Sequence, residues 1–217
     1  MSTSIGVVID ATKQQPPLTA TPAEIKRMLQ CMQDEILPIT TDGVTEGNKV
    51  FGAAVLDADL KTVLADTNTE TTCPLFHGEV KVIYEWAKIT PPPQRGPAAQ
   101  SSIFLATHEP CCMCISSIVW SGFKKVFYFF PYSITSAQGI PHDINTMHEL
   151  WGVNSYRKTN KYCATACLMD MIADLELGLE KTELLAMQQI LLDNYDNLSN
   201  KYHSEKANNE NNSLVLG

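Results

Sequence analysis

The chain of 217 residues is 44% hydrophobic and 18% charged, a globular balance that fills one core and is short for two. Lys and Arg total 16 against 24 Asp and Glu, a net charge of −8, which disfavours nucleic acid as a partner because phosphate contacts draw their affinity from basic faces. No apolar run reaches the length of about 18 residues that a membrane span needs, and the start "MSTSIGVVIDATK" lacks the basic and long apolar regions of a secretory signal. The expectation is a cytoplasmic protein acting on a small molecule.

In chain order, "SIGVVID" is a strand or a packed arm and "ATKQQPPLTA" a loop. "TPAEIKRMLQCMQDEIL" then opens a helix, with Thr21 as N-cap, Pro22 in the first turn and Glu24 completing a capping box. Ile25, Met28, Leu29, Met32 and Ile36 recur every three or four residues and bury one face. Two strands follow, about Val50 to Leu56 and Thr62 to Asp66, joined by the turn Asp57-Ala58-Asp59 as an antiparallel hairpin. A helix runs from Gly78 to about Lys88, and "TPPPQRGPAAQ" is expected to be loop because of its three successive prolines.

"SSIFLAT" is a buried strand. Pro110 opens a helix that turns Ile115, Ile118 and Val119 inward and stops at Gly122, and "KKVFYFF" is the next strand. A loop of about ten residues after Pro131 leads to the helical "HDINTMHELWGV", and two long helical stretches close the chain, from about Tyr162 and about Thr182. Strands alternating with helices imply an α/β fold, a central mixed sheet of about five strands with helices on both faces. The expected organisation is an N-terminal arm and loop over residues 1–20, a single domain over 21–206 and a mobile tail over 207–217. Leu184, Leu191 and Leu198 form a stripe on the last helix that is covered by the core or by a second subunit.

The seven cysteines are odd in number, and Cys111, Cys112 and Cys114 fall within four positions, a clustering that points to metal binding or redox chemistry. Cys111 and Cys114, three apart at a helix start, turn both sulfurs to one point, where the helix dipole favours thiolate. His77 stands at the start of the preceding helix, and together the three offer zinc one nitrogen and two sulfurs. That set leaves a fourth position open for water, as catalytic sites do. Glu79, two places from His77, is poorly aimed to be a ligand but well placed to move the protons of that water. Cys112, His108 and Cys73 are the residues that could instead close the site as a structural one.

His-x-Glu followed by Pro-Cys-x-x-Cys is a signature of zinc nucleobase deaminases. "HGE" at 77–79, "EPCCMC" at 109–114 and "VFGAAVLD" from Val50 resemble the cytidine and deoxycytidylate deaminase superfamily, in the branch of cytosine, guanine and tRNA adenosine deaminases. The resemblance implies a three-layer α/β/α fold and a zinc-dependent hydrolytic deaminase of a small amino-substituted heterocycle, a free nucleobase or nucleoside. It makes Glu79 the proton shuttle and His77, Cys111 and Cys114 the zinc ligands.

It also implies substrate contacts from Asn68, from the main-chain N–H groups of Gly78 and Cys111, from Glu109 and, through the guanine-deaminase-like "GIPHDI", from Asp143. Phe130 and Tyr132, at the end of "VFYFFPY", are candidates to stack on a base. For Asn68 a turn-forming role stays open, and for Asp143 a helix N-cap. A homodimer is expected by analogy with the branch. The alternatives are a tRNA adenosine deaminase subunit and a non-catalytic zinc-binding partner in a deaminase complex.

Overall fold

Thr21 caps the first helix as its sequence dictates: its Oγ1 accepts from the Glu24 N–H at 3.3 Å while the Glu24 carboxylate accepts from the Thr21 N–H at 2.7 Å. The structure, a computed structural model, describes residues 14–212, so the "SIGVVID" stretch lies outside the described residues. Helix α1, Pro22–Cys31, does not stop near Ile36 but continues through a π-helical turn, Met32–Ile36, into α2, Leu37–Thr45. The widened turn accommodates Pro38, which has no N–H to donate to the helix behind it.

Strands β1, Gly52–Leu56, and β2, Thr62–Thr67, pair antiparallel as expected. Helix α3 spans Gly78–Ile89. The proline-rich stretch corrects the expectation of a loop, because it forms α4, Pro92–Ser101. Its three successive prolines do not have to continue a helix, although Pro97 lies inside this one. Pro91 caps a new one, and Pro92 and Pro93 occupy the first turn, where N–H groups need no helical partner. Arg95 ties α4 back to α3 by donating to the carbonyls of Thr90 and Ala87.

Strand β3, Ile103–His108, leads to α5, Cys112–Trp120, which starts two residues after Pro110 with Cys111 as its N-cap. Strand β4, Lys125–Phe130, follows, and the expected loop after Pro131 contains a short helix α6, Tyr132–Ala137, before α7, His142–Trp151. The stretch from Tyr162 is not one long helix. It holds strand β5, Ala164–Cys167, and the short α8, Leu168–Asp174, before α9, Leu179–Glu205.

The sheet order is β2-β1-β3-β4-β5, antiparallel across β1 and parallel from β3 to β5. Strand β1 is buried on both faces, and its alternation sorts the two cores. Ala53 and Val55 pack with Val82, Trp86, Ile118 and Phe123 under α3 and α5. Ala54 and Leu56 pack with residues of α1, α8 and α9 on the opposite side. The result is the expected three-layer α/β/α sandwich on a mixed five-stranded sheet.

Leu184, Leu191 and Leu198 are buried in this second core, so the stripe on α9 is covered by the chain's own packing. Among the described residues no helix is long and apolar enough to cross a membrane.

Candidate active site

Two helix N-termini meet at one edge of the sheet. The connection from β2, residues 68–77, delivers His77 as the N-cap residue of α3, and the connection from β3 delivers Cys111 as the N-cap of α5. The approach is close enough to dictate Gly78, since a Cβ there would lie 2.8 Å from the carbonyl oxygen of Phe51 and 2.8 Å from the Cα of Gly52. Only glycine lets α3 seat its first turn against β1.

His77 Nδ1 lies 3.6 Å from the Cys111 sulfur and 3.6 Å from the Cys114 sulfur. A nitrogen and a sulfur bound to one zinc at about 2.05 and 2.3 Å and a tetrahedral angle are roughly 3.6 Å apart, so the three side chains fit that ion. Their ligand atoms all lie within 4.8 Å of one another, and they form the one such group of three among the described residues. Of the residues that could have closed the site, Cys73 is not part of this group and the other two turn elsewhere. Cys112 directs its sulfur to the Thr146 hydroxyl at 3.8 Å, and His108 spends both ring nitrogens on Thr107 and Gln138.

Glu79 is buried beside this cluster, its Oε2 3.3 Å from the Cys114 sulfur. Burial pushes its carboxyl up to about 7, and negative charge on Cys111 adds to the effect. A hydrogen bond from Cys114, stronger here than the opposing burial, holds the Cys111 thiol well below its usual range. Burial and the Cys111 charge push Cys114 the other way.

The cluster opens on a cavity of about 560 Å³ whose wall includes Lys49, Glu70, His77, Cys111 and Asp143. Asp143 is nearly buried, and the N-cap of α7 is Pro141, so Asp143 does not cap the helix. Among the described residues no group donates a hydrogen bond to its carboxylate, and burial pushes that carboxyl well above the usual range.

The other substrate-contact candidates lie away from the cavity wall. Asn68 is fully buried and gives its amide to Glu70. Glu109 accepts from the Tyr132 N–H and pairs with Lys158. Tyr132 donates its hydroxyl to the Pro110 carbonyl at 2.6 Å. Phe130 is a core ring, packed between His108 and Tyr195 with centroids at 4.7 and 5.1 Å.

The ligand candidates and Glu79 all fall inside residues 27–130, which match the family model of the cytidine and deoxycytidylate deaminase zinc-binding region. This stretch, just under half of the chain, is similar to the zinc-binding region of that superfamily. Its cofactor is therefore zinc, and the deaminase resemblance of the motifs holds. Among solved structures, guanine deaminase from Nitrosomonas europaea is similar at 15% identity over 84% of this chain and 90% of its own, with a TM-score of 0.46. Guanine deaminase from Bacillus subtilis is similar at 23% identity over 64% and 85%, with a TM-score of 0.44. A tRNA:A34 deaminase is similar at 18% identity over 46% and 75%, with a TM-score of 0.37. Likeness at this level carries no argument about the substrate. No curated protein matches the sequence significantly.

The sequence reading missed two residues of the candidate site. Lys49 and Glu70 are both buried polar residues on the cavity wall, paired at 3.1 Å, and Glu70 lies 3.3 Å from His77 Nε2. The only trace in the sequence is an acidic residue two places after Asn68, which no helical or strand spacing marks.

His108 gives the site's surroundings a pH signature. Burial pushes its imidazole down to about 3, with only the Gln138 bond opposing. In the unfolded chain a histidine takes up its proton near pH 6.5, so below that pH the unfolded state binds more protons and stability falls. Denaturant melts of the zinc-free protein between about pH 6.5 and 3 should lose up to about 1.4 kcal/mol per pH unit through this one group. The same series on His108→Gln should be shallower by that slope, and equal slopes would remove His108 as the cause.

Proposed function

We propose that the protein is a zinc-dependent hydrolytic deaminase of a small amino-substituted heterocycle, a free nucleobase or nucleoside of guanine or cytosine type. The observation that carries this reading is the Glu79 carboxyl, buried with its Oε2 3.3 Å from Cys114 at a three-residue metal cluster. A structural zinc site needs four protein ligands and no such neighbour.

Zinc held by His77, Cys111 and Cys114 supplies a Lewis acid that brings the pKa of water down to roughly 7. Glu79, itself pushed up to about 7, can both take and return a proton near neutral pH. It accepts a proton from water as the water oxygen adds to the ring carbon bearing the amino group. It delivers that proton to the adjacent ring nitrogen, then takes the second one from the hydroxyl now on the ring carbon and gives it to the amine, so that the C–N bond breaks, ammonia leaves and a ring carbonyl remains. The cavity wall is apolar at Pro74, Leu75, Ile140 and Leu150, which suits it to the flat face of a ring.

Asp143 is the wall group best suited to a guanine-type ring, because its unpartnered carboxyl can accept from ring N–H groups. Asp143→Asn should keep zinc and fold while losing at least about tenfold in kcat/KM, since a buried hydrogen bond to a charged group contributes about 1.5–3 kcal/mol. Steady-state kinetics on guanine and cytosine compounds check it. Unchanged kinetics would remove the guanine-type reading in favour of a pyrimidine.

A further inference from the structure

Glu70 sits near the start of the connection from β2 to α3, and neither the His-x-Glu motif nor the cysteine motif requires it. Its carboxylate nevertheless has a partner at each oxygen. Oε1 lies 3.3 Å from His77 Nε2 and 3.1 Å from Lys49 Nζ, and Oε2 accepts from Asn68 Nδ2 at 2.6 Å. The loop closes on itself where the Glu70 N–H donates to Asn68 Oδ1 at 2.9 Å. Lys49, Asn68 and Glu70 are all nearly or fully buried, so the assembly is held away from solvent screening.

We propose that Glu70 is the positioning residue of His77: it holds the ring through Nε2–H, so that Nδ1 is the nitrogen turned to Cys111 and Cys114. A metal-binding imidazole has its tautomer and orientation set by the bond its other nitrogen makes. Glu70 is not a fourth ligand, because it stands at the Nε2 edge of the ring while both sulfurs stand at Nδ1. Nor is it free to grip a substrate, since each oxygen is already engaged. Asn68 acts here through Glu70, both ends of its amide being committed to that residue. Lys49 shares Oε1 with the ring, while Asn68 holds the far oxygen.

This inference rests on the reading of His77 as a zinc ligand but not on the substrate, so its test reads zinc and not turnover. Zinc affinity is measured by competition with a chromogenic chelator, together with the thermal midpoint of the metal-free protein. Glu70→Gln keeps the shape and loses the charge, and is expected to weaken zinc binding roughly 10–100-fold with little change in the metal-free midpoint. Lys49→Gln breaks the buried Lys49–Glu70 pair but leaves the Glu70 charge to His77 and the Asn68 amide. It is expected to lower stability and to leave zinc affinity at or above that of the unaltered protein.

Glu70→Gln with unaltered zinc affinity, or both variants losing zinc alike, would overturn the assignment, since a merely structural role treats the two partners equally. A measurement on the unaltered protein stands beside these in case a variant fails to fold. In the zinc-loaded protein, nitrogen NMR of the assigned His77 ring should show the proton on Nε2 and the metal on Nδ1, and the reverse tautomer would overturn the assignment as well. A deaminase reading that failed on every substrate would leave these zinc measurements standing.

Discussion

Glu79→Gln should fold, hold zinc and lose roughly 10²–10⁴-fold of turnover, the range that general acid–base catalysis contributes. The amide fills the same buried space beside Cys114 and keeps an oxygen near its sulfur, so packing is preserved. It can neither accept a proton from water nor deliver one to an amine. Because the loss concerns proton transfer and not binding, it should fall on kcat, with KM near that of the unaltered protein. Zinc content by mass spectrometry and single-turnover kinetics check both halves of the expectation. A variant with zinc and near-normal kcat would mean that another base is at work, and among the described residues Asp143 would be the next candidate on the cavity wall.

Cys111→Ala should strip the metal and abolish activity. It removes one of three ligand atoms, and it removes the group that takes the negative charge of the sulfur pair. A two-ligand remnant of His77 and Cys114 falls short of the three protein ligands a catalytic zinc site carries. Because metal binding is coupled to folding, stability should fall with the metal. Cys112→Ala should do neither. Its sulfur is turned to Thr146 on α7, and alanine there leaves the Nδ1–sulfur distances of the cluster untouched. Metal content and thermal midpoints of the two variants, measured side by side, decide the ligand set. Zinc lost from Cys112→Ala and kept in Cys111→Ala would reverse it.

What was legible in the sequence was local. A capping box, a His-x-Glu and a Pro-Cys-x-x-Cys each fix side chains within one turn of a helix start, so their spacing already carries their geometry. The apolar runs in "FGAAVLD" and "SSIFLAT" likewise place strands β1 and β3. The prolines of α4 misled because a proline run forbids continuing a helix but permits starting one. Strand β5 has only four residues and completes the sheet beside β4, a long-range pairing that sets structure where local pattern does not.

The substrate wall was the least legible part. Phe130 carries an aromatic ring at the end of a strand near the site, but Tyr195, on the distant α9, packs against that ring in the core. Asn68 and Glu70 are two apart in an irregular connection, and only the fold shows that Asn68 turns to Glu70 and Glu70 to His77. Contacts of this kind depend on how a loop closes, and loops have no period to read.

The central claim is that the buried carboxylate beside the metal cluster makes this a hydrolase and not a zinc-holding scaffold. The measurement that tests it most directly is ammonia release by the zinc-loaded protein over a panel of amino-substituted bases, nucleosides and pterin-like rings, run in parallel with Glu79→Gln. The account predicts ammonia from at least one ring, matched mole for mole by the corresponding carbonyl product, and a rate lower by about 10²-fold or more in the variant. Zinc-loaded protein that releases no ammonia from any ring, or that releases it equally with and without the Glu79 carboxylate, would contradict the account.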